Sequence, residues 1–426
     1  MKFRNAMLLA GVMLCAATPA AADAKPKKAK AVALAPSVES RTVWAANAER
    51  LRAAELLAKR LDTGIVDGYL AGPEMADYVR KNIEVLRRGA DSDKLIADSN
   101  ITTVYADYVA KLYSPVEGMI YGESSVRPRA ASQKLLQARI FDAADPVEEV
   151  RQMLDINPIH AQLREAVYGE YLRVGESALT DAALSSIARS RAFPAKGRFV
   201  LVDAATARLW MYEDGRAVDS MKVIVGKAKF ATPMIASRIH YAVHNPYWHV
   251  PEHLNKNIAR GYLAKGEAYM RRMGYQAVDE WGDEANILDN ASIDWKAVRD
   301  GRADVKIRQL PGGENFMGKV KFPFNNGEGI FLHDTPSKAL FDKVDRQLSN
   351  GCVRLEDAPR LAAWLGSARS LGSANPEDLE LLPKGTPVYI SYLTVQADGA
   401  GDLIRTADVY QRDKGPALLS MASYAN

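Results

Sequence analysis

The hydrophobic pattern of the chain changes at Gly197, and this change limits the folds that the sequence can adopt. Over residues 41–195 apolar residues recur at helical spacing, whereas from Gly197 onward they form short β-branched and aromatic runs separated by turns. The 426 residues are too many for one ordinary core. We therefore predict an α+β protein with an all-α domain over 41–195 and a mostly-β domain over 196–413.

Helix boundaries can be placed in the first half from local signals. The stretch TVWAANAERLRAAELLAKRL has helical periodicity, with Arg and Glu on the side opposite the apolar residues. Asp145 followed by Pro146 indicates a helix start, Asn157 indicates another, and Gly175 is a stop signal. We expect His160, at the head of the helix after Asn157, to have a surface or capping role. Since no nucleophile is paired with a base here, this half is interpreted as a scaffold.

The second half has the pattern of a sheet interrupted by an insertion. GRFVLVDAATARLWMYEDGRAVDSMKVIVG predicts a β-meander with a turn at residues 213–215. Residues 251–310 return to helical and mixed patterning before strands resume in KVKFPF and GIFLHDTP, so we interpret them as an inserted cap. GTPVYISYLTV predicts a late strand, and residues 414–426 are expected to form a flexible tail.

The N-terminus has the layout of an export signal. Lys2 and Arg4 precede an apolar run and three alanines at 20–22, which is typical of a secretory signal peptide over residues 1–22. Residues 23–40 are rich in Ala, Lys and Pro and indicate a solvated linker. We expect a soluble mature protein in the periplasm, with no transmembrane segment. These basic segments supply much of the net charge of +4, so nothing suggests a nucleic-acid partner.

Cysteine usage points to one residue. The chain has two cysteines, Cys15 and Cys352, and signal cleavage would remove the first. Exported proteins usually pair their cysteines as disulfides. The remaining thiol of Cys352 is therefore either buried and inert or retained for its reactivity.

The residues around Cys352 favour reactivity when they are taken together. A nucleophilic thiol needs a base and donors for the oxyanion. His333 ends an apolar strand 19 residues before Cys352, and the backbone amides of Asn350, Gly351 and Cys352 are candidate oxyanion donors. VRLEDAPRLAAWL predicts a helix whose start would lie near the sulfur, and Arg354 is placed to bind a carboxylate. Taken singly, each feature is better explained by a structural role: packing for the cysteine, a satisfied structural histidine, and a solvent-facing arginine.

The combined motif HDTP…SNGCVR resembles the active-site signature of the L,D-transpeptidases, the YkuD-type catalytic domain. The resemblance assigns the nucleophile to Cys352 and the base to His333. Further blocks, among them VIVGKAKFATPM and HNPYWHVPEHL, are similar to the larger branch that bears a scaffold domain. The second histidine of the signature is Asn350 here, as in that branch, and Asp334 stands where the family orients its base through a backbone oxygen or small side chain.

The resemblance implies a reaction on peptidoglycan stem peptides. Cys352 would attack the L,D amide after meso-diaminopimelate, D-alanine would leave, and a neighbouring diaminopimelate amine would resolve the thioester. Arg354, Ser349 and Trp248 would contact the substrate, although core packing explains Trp248 equally well. No metal or cofactor is implied, and carbapenems are expected to acylate the thiol.

Three other functions stay open. The acyl acceptor could be an amine of an outer-membrane protein, which would be tethered to the wall, or water, which would make the protein an L,D-carboxypeptidase. The chain could also be a non-catalytic wall-binding protein. There is no room for the peptidoglycan-binding module that many relatives carry, so glycan affinity must arise elsewhere.

His249 and His253 have the four-residue spacing of zinc ligands on a helix. Pro251 between them argues against a regular helix, and no third ligand is evident. We therefore expect no metal at this point and interpret HVPEH as the hinge of the cap.

Overall fold

The computed structural model describes residues 42–282, 284–369 and 375–414. The predicted signal peptide (1–22), the linker (23–40) and most of the predicted tail lie outside the described residues. In the described part, no helix combines the length and the apolar character needed to cross a membrane.

Helices dominate the first half and recur in the cap and after the nucleophile motif. The α-helices are α1 (Ala48–Asp62), α2 (Gly72–Arg88), α3 (Asp91–Leu112), α4 (Gln133–Asp142), α5 (Pro146–Leu154), α6 (Pro158–Val174), α7 (Asp181–Ser190), α8 (Glu252–Lys265), α9 (Glu267–Met273), α10 (Trp295–Asp300) and α11 (Ala358–Leu365). Asp145 and Asn157 cap α5 and α6 as predicted, because their side chains accept hydrogen bonds from first-turn amides. Gly175 ends α6, also as predicted.

One buried carboxylate ties the start of the described chain to the helical core. Trp44 is fully buried and packs edge-on against Tyr105, with ring centroids 5.7 Å apart. The Asp98 carboxylate on α3 accepts hydrogen bonds from the amides of Val43 (2.9 Å) and Trp44 (2.7 Å). These bonds satisfy backbone groups that burial would otherwise leave unpaired.

The prediction for His160 was wrong in one respect. Its backbone amide is capped by Asn157, but its ring is fully buried rather than at the surface. The ring faces Asp67, whose carboxylate also binds the Arg164 guanidinium at 2.9 Å and the Tyr108 hydroxyl at 2.7 Å. The first turn of α6 thus packs onto a buried ionic cluster, which helical spacing alone does not reveal.

The second half forms a sheet that closes on itself. The strands are β1 (Met119–Tyr121), β2 (Arg198–Asp203), β3 (Arg208–Glu213), β4 (Arg216–Gly226), β5 (Met234–His244), β6 (Trp248–His249), β7 (Tyr275–Val278), β8 (Lys306–Gln309), β9 (Val320–Pro323), β10 (Phe331–His333), β11 (Gln347–Ser349), β12 (Val353–Leu355), β13 (Asp378–Ser391), β14 (Val395–Ala397) and β15 (Leu403–Arg405). The order is β5-β13-β2-β3-β4-β12-β10-β9, and β9 pairs again with β5. β2, β3 and β4 are the predicted meander, with its turn at Asp214 and Gly215.

The helical half contributes a strand to this sheet, which the sequence pattern did not indicate. β1 pairs in parallel with the first residues of β5, with Met119 opposite Met234. The amide of Gly122 continues the contact by donating to the Ala236 carbonyl at 2.9 Å. The scaffold and the closed sheet are therefore joined through backbone hydrogen bonds as well as side-chain packing.

The cap lies between two strands that pair with each other. β5 ends at His244 and β9 begins at Val320, and these two residues are register partners. Between them, β6, β8 and β7 form a separate three-stranded sheet. Ile258, Trp295 and Ile307 belong to an apolar cluster that packs against this sheet and the cap helices. The insertion therefore has a core of its own.

Candidate active site

Strand pairing brings His333 beside β12, the strand that Cys352 immediately precedes. β10 and β12 are parallel neighbours, with Leu332 opposite Val353 and His333 opposite Arg354. Leu332 and Val353 are fully buried in the core of the sheet. Because side chains alternate along a strand, His333 and Arg354 lie on the other face, as does Cys352 just before β12. The nucleophile and base predicted from sequence thus share one face of two adjacent strands.

Burial and one hydrogen bond set the state of the His333 ring. The side chain is 2% exposed, and its Nδ1 donates to the Asp334 backbone carbonyl at 2.6 Å. Nδ1 therefore carries the proton, and Nε2 is left as an acceptor. Burial, and then the positive charge of Arg354, lower the pKa of His333 to about 4. The ring is a neutral base at physiological pH.

The Cys352 thiol is also uncharged in this arrangement. The half-buried sulfur faces the Gly329 carbonyl oxygen at 3.7 Å, a contact in which the thiol donates. Burial raises the pKa of the thiol to about 11, and a hydrogen bond from the Phe331 backbone and the charge of Arg354 only partly offset this. The resting pair is thus a thiol and an imidazole rather than a thiolate and an imidazolium.

Hydrogen bonds from two hydroxyl groups hold the loop before the nucleophile. Gly351 has φ +119, a conformation that favours glycine. The buried Ser349 hydroxyl donates to the Cys352 carbonyl (2.6 Å) and accepts from the Gly351 amide (3.1 Å). The buried Thr232 hydroxyl donates to the Gly351 carbonyl at 2.7 Å. Ser349 therefore acts on the loop geometry.

The same geometry departs from the expectation for the oxyanion donors. The Gly351 amide already donates to Ser349 Oγ, so it is not directed at an oxyanion in this conformation. The amides of Asn350 and Cys352 remain as candidates.

The expected helix after Cys352 begins later than predicted. The chain first runs through β12, and α11 starts at Ala358, capped by the Asp357 side chain. The sulfur therefore does not lie at the N-terminus of α11, and the dipole of this helix does not favour the thiolate. The apolar residues of VRLEDAPRLAAWL are compatible with a strand followed by a short helix, which is why periodicity misplaced the boundary.

Asp334 orients the base through its backbone. Its carbonyl accepts from His333, whereas its carboxylate accepts from the Lys319 amide (2.9 Å) and the Lys338 ammonium (2.8 Å). Lys338 also donates to the Glu356 carbonyl at 2.9 Å, beyond the nucleophile strand. The carboxylate thus connects the segments that follow β10 and β12.

Arg354 is a charged residue that influences both Cys352 and His333. It is half-buried on the shared face, and its charge acts on the pKa of Cys352 and of His333. Burial lowers the pKa of the guanidinium itself. A desolvated arginine beside the thiol suits a substrate carboxylate.

The remaining sequence candidates lie in the cap. The Trp248 ring packs on Phe316, with centroids 4.9 Å apart, and on the cap cluster. His249 packs on Trp281 at 4.7 Å, and His253 stacks on Phe230 at 5.3 Å. The two histidines therefore contact different partners, and the described residues contain no group of three or more side chains set to hold a metal ion.

Three further residues that support the loop were missed by sequence reasoning. Thr232 also accepts from the Gly226 amide at 2.8 Å, and its carbonyl accepts from the Arg412 guanidinium at 2.9 Å. The Tyr410 hydroxyl donates to the Gly226 carbonyl. Thr232 lies in the ATPM stretch, which was considered only for its similarity to the family. The late segment with Tyr410 and Arg412 has no local pattern that would indicate a role in supporting the loop.

The site has the groups that acyl transfer to sulfur requires. A neutral imidazole can take the thiol proton, backbone amides can stabilise an oxyanion, and an arginine can bind a carboxylate. This set of groups is compatible with the class of sites that transfer an acyl group through a thiol.

Residues 197–390 match the model of the YkuD family, the L,D-transpeptidase catalytic domain. A curated Haemophilus influenzae protein named "Putative L,D-transpeptidase" is 28% identical over 327 residues, which cover 74% of this chain and 65% of that protein. The chain thus matches somewhat less than two thirds of the relative's length. The family prediction is therefore confirmed for residues 197–390, the part of the chain that the YkuD model matches.

Solved structures give only a distant likeness. An L,D-transpeptidase from Mycobacterium smegmatis is 16% identical, covers 46% of this chain and 60% of its own, and has a TM-score of 0.23. One from Enterococcus faecium is 12% identical, with 46% and 50% covered and a TM-score of 0.21. At this similarity the assignment depends on the domain match and the curated relative.

Proposed function

We propose that the protein is a peptidoglycan L,D-transpeptidase that joins two meso-diaminopimelate residues through a Cys352 thioester. The donor is a tetrapeptide stem and the leaving group is D-alanine. The observation that carries this proposal is the pairing of β10 with β12, which sets Cys352 and His333 on one face of a YkuD domain.

The first step moves one acyl group and one proton. Sγ of Cys352 attacks the carbonyl carbon of the L,D amide while its proton passes to Nε2 of His333. The tetrahedral intermediate collapses as the amide C–N bond breaks, and His333 returns the proton to the departing D-alanine amine. Because both groups start uncharged, proton transfer accompanies the attack.

The second step regenerates the thiol. The side-chain amine of an acceptor diaminopimelate attacks the thioester and loses a proton to His333, and the C–S bond breaks. The sulfur then recovers that proton. The product contains a new amide between the two stems, and the proposed reaction needs no cofactor.

Backbone and cationic groups position the donor in this scheme. The amides of Asn350 and Cys352 stabilise the oxyanion, and Ser349 and Thr232 maintain the loop that carries them. Arg354 binds a stem carboxylate beside the thiol. The cap covers the peptide and limits the access of water to the thioester.

Acylation by a carbapenem tests the role of the thiol. We expect intact-protein mass spectrometry to show one adduct on the wild-type protein, none on Cys352→Ala, and a strongly slowed reaction for His333→Ala. An adduct of equal rate on Cys352→Ala would refute the proposed nucleophile.

The acceptor requires a separate experiment with purified disaccharide tetrapeptides. Cross-linked dimers with released D-alanine would support the proposal, whereas tripeptides would indicate hydrolysis. Unchanged substrate together with carbapenem acylation would point to another acceptor amine, such as that of an outer-membrane protein. No acylation at all would favour a non-catalytic wall-binding protein.

A peptidoglycan substrate places the reaction outside the cytoplasmic membrane. We propose a periplasmic location, which the export signal expected over residues 1–22 supports. Cell fractionation of a strain that produces the full chain tests this, and recovery in the cytoplasm alone would contradict it.

A further inference from the structure

The cap presents a row of aromatic rings that its own core does not use. The Trp281 and His249 rings lie 4.7 Å apart, and the His249 and Tyr247 rings 6.4 Å apart. The Arg308 guanidinium lies over Tyr247, 4.7 Å from the ring centroid. We call Tyr247, His249, Trp281 and Arg308 the stacking surface.

Trp281 is exposed where the other tryptophans of the cap are not. It is 45% exposed, whereas Trp295 is 3% exposed and Trp248 packs on the cap cluster. An indole ring left in water forgoes the stabilisation that burial would give it. The exposure of Trp281 is therefore understandable if a ligand covers the ring.

A series of direct contacts connects the stacking surface to the strand that carries the base. Lys321 on β9 is the register partner of His333, so both side chains lie on the same face. Lys321 forms an ion pair with Glu377 at 3.1 Å, and Glu377 accepts from the Tyr247 amide at 2.6 Å. Tyr247 is the first ring of the row. The stacking surface is thus linked through Glu377 and Lys321 to the strand pair that carries His333.

The surroundings of Trp281 select one kind of ligand. Asp279, Glu280 and Glu284 flank it in the chain, and all three are exposed. A peptide helix or lipid would need a contiguous apolar patch, and an anionic ligand would be repelled by these carboxylates. A pyranose ring has a C–H face that packs on indole and a rim of hydroxyls that donate to carboxylates. Arg308 can donate to carbonyl oxygens of N-acetyl groups.

We propose that the stacking surface is a carbohydrate-binding site, which holds an N-acetylated sugar of the glycan strand while the attached stem peptide occupies the Cys352 site. This rests on the proposed function. Three extended stem residues span about 10 Å, and this length is the reach between the sugar and the scissile amide of one muropeptide. The site would supply affinity for the glycan strand.

Kinetics with two donors test the proposal. Release of D-alanine is measured with a disaccharide tetrapeptide and with the same tetrapeptide freed of its sugars. For Trp281→Ala we expect kcat/KM to fall about 3- to 10-fold with the first donor only, the loss of one stacking contact. The control is Ile287→Ala, which removes a side chain that is 60% exposed in the same cap.

Equal losses with both donors, or no loss with either, would overturn the proposal. A second measurement does not depend on catalysis. Peptide-free glycan strands are titrated calorimetrically into Cys352→Ala and into the double variant that also carries Trp281→Ala, and we expect weaker binding by the double variant. Unchanged binding in the double variant, or no binding by Cys352→Ala, would also overturn it. The proposed thiol chemistry is checked separately by carbapenem acylation. If Trp281→Ala is acylated at the wild-type rate and Cys352→Ala is not acylated, the proposed chemistry is supported even where the carbohydrate site is not.

Discussion

The uncharged state of the Cys352 and His333 pair has a direct consequence for reactivity. An ion pair would present a ready thiolate at neutral pH, but here burial disfavours the charged form of each side chain. In the proposed reaction, the thiol therefore attacks the substrate as its proton moves to Nε2 of His333. Reagents that depend on a preformed thiolate should find Cys352 slow.

Alkylation by iodoacetamide measures this property. With a thiol pKa of about 11, we expect the rate at Cys352, followed by peptide mass spectrometry, to rise about tenfold per pH unit between about pH 7 and pH 10. Arg354→Gln should be slower at each pH because the positive charge that lowers the thiol pKa is lost, and Arg354→Lys should retain most of the rate. A rate that is already constant near pH 7 would contradict the neutral pair.

Thr232 should influence the site although it touches neither reacting group. Thr232→Val leaves the Gly226 amide and the Gly351 carbonyl without their buried partner, which should cost about 1–3 kcal/mol in the free energy of unfolding. The loosened loop should also slow carbapenem acylation. Thr232→Ser retains the hydroxyl and serves as the control, so equal effects of the two substitutions would show that the hydroxyl is not the cause.

These residues show which part of a site can be predicted from sequence. Cys352 and His333 can be predicted as candidates because their motif is short and the types of residue are chemically distinctive. The hydrogen bond from Thr232 to Gly351 spans 119 positions in the chain, so no local pattern reports it. The same holds for Arg412, which donates to the Thr232 carbonyl from the far end of the described chain.

At the level of elements, β1 is the point where the helical half joins the closed sheet. The residue after β1, Gly122, packs so tightly against its neighbours that there is no room for a side chain. A Cβ at this position would lie 1.6 Å from the Asn325 carbonyl oxygen and 2.7 Å from Ser237 Oγ. The Asn325 amide group also donates to the Gly122 carbonyl at 2.8 Å.

Gly122→Ala should therefore separate β1 from its neighbours. We expect a loss of at least about 1–3 kcal/mol in the free energy of unfolding, because backbone atoms must move to admit the methyl group. Gly169→Ala is the matched control: a Cβ there meets nothing within 4 Å, and alanine in α6 should be neutral or stabilising by up to about 1 kcal/mol. Urea unfolding of both variants measures these changes. A Gly122→Ala variant as stable as wild type would contradict the tight packing around Gly122.

Elements differed in how well the sequence revealed them. The starts of α5 and α6 were predicted because Asp145 and Asn157 act on amides two or three residues away. β1 is three residues long and depends on pairing with β5, which lies more than a hundred residues later. β6 also depends on a distant partner, since it pairs with β8 across the cap. Local patterns thus indicate caps and long strands, whereas short strands depend on partners.

Over the whole molecule, buried titratable groups tie the stability of the fold to pH. His160 is fully buried between Asp67, Arg60, Arg164 and Arg191. Burial, despite the opposing charge of Asp67, lowers the pKa of His160 to about 3. Within the described residues neither ring nitrogen of His160 has a hydrogen-bond partner, although Nε2 lies 3.7 Å from the Asp67 carboxylate. The folded protein therefore keeps this ring neutral where the unfolded chain would protonate it.

The sign of the effect follows from linkage. Above the ordinary pKa of 6.5 the His160 ring is neutral in both states and contributes no pH dependence. As the pH falls below 6.5, His160 becomes protonated in the unfolded chain, whereas in the folded state it stays neutral until about pH 3. The free energy of unfolding therefore declines over this pH range. Between about pH 7.5 and pH 5 the contribution of His160 should be a loss of about 2 kcal/mol.

Replacement of His160 by leucine isolates this contribution, because leucine has a similar volume and the ring forms no hydrogen bond that the substitution would break. We expect His160→Leu to be as stable as wild type, or more so, and to lose about 2 kcal/mol less on passing from about pH 7.5 to pH 5. Urea unfolding of both proteins at the two pH values gives the double difference, in which the other titrating groups cancel. His333, buried with a pKa of about 4, adds a decline of the same sign in both proteins. Parallel pH dependences would mean that the folded protein can protonate His160, with Asp67 as its partner.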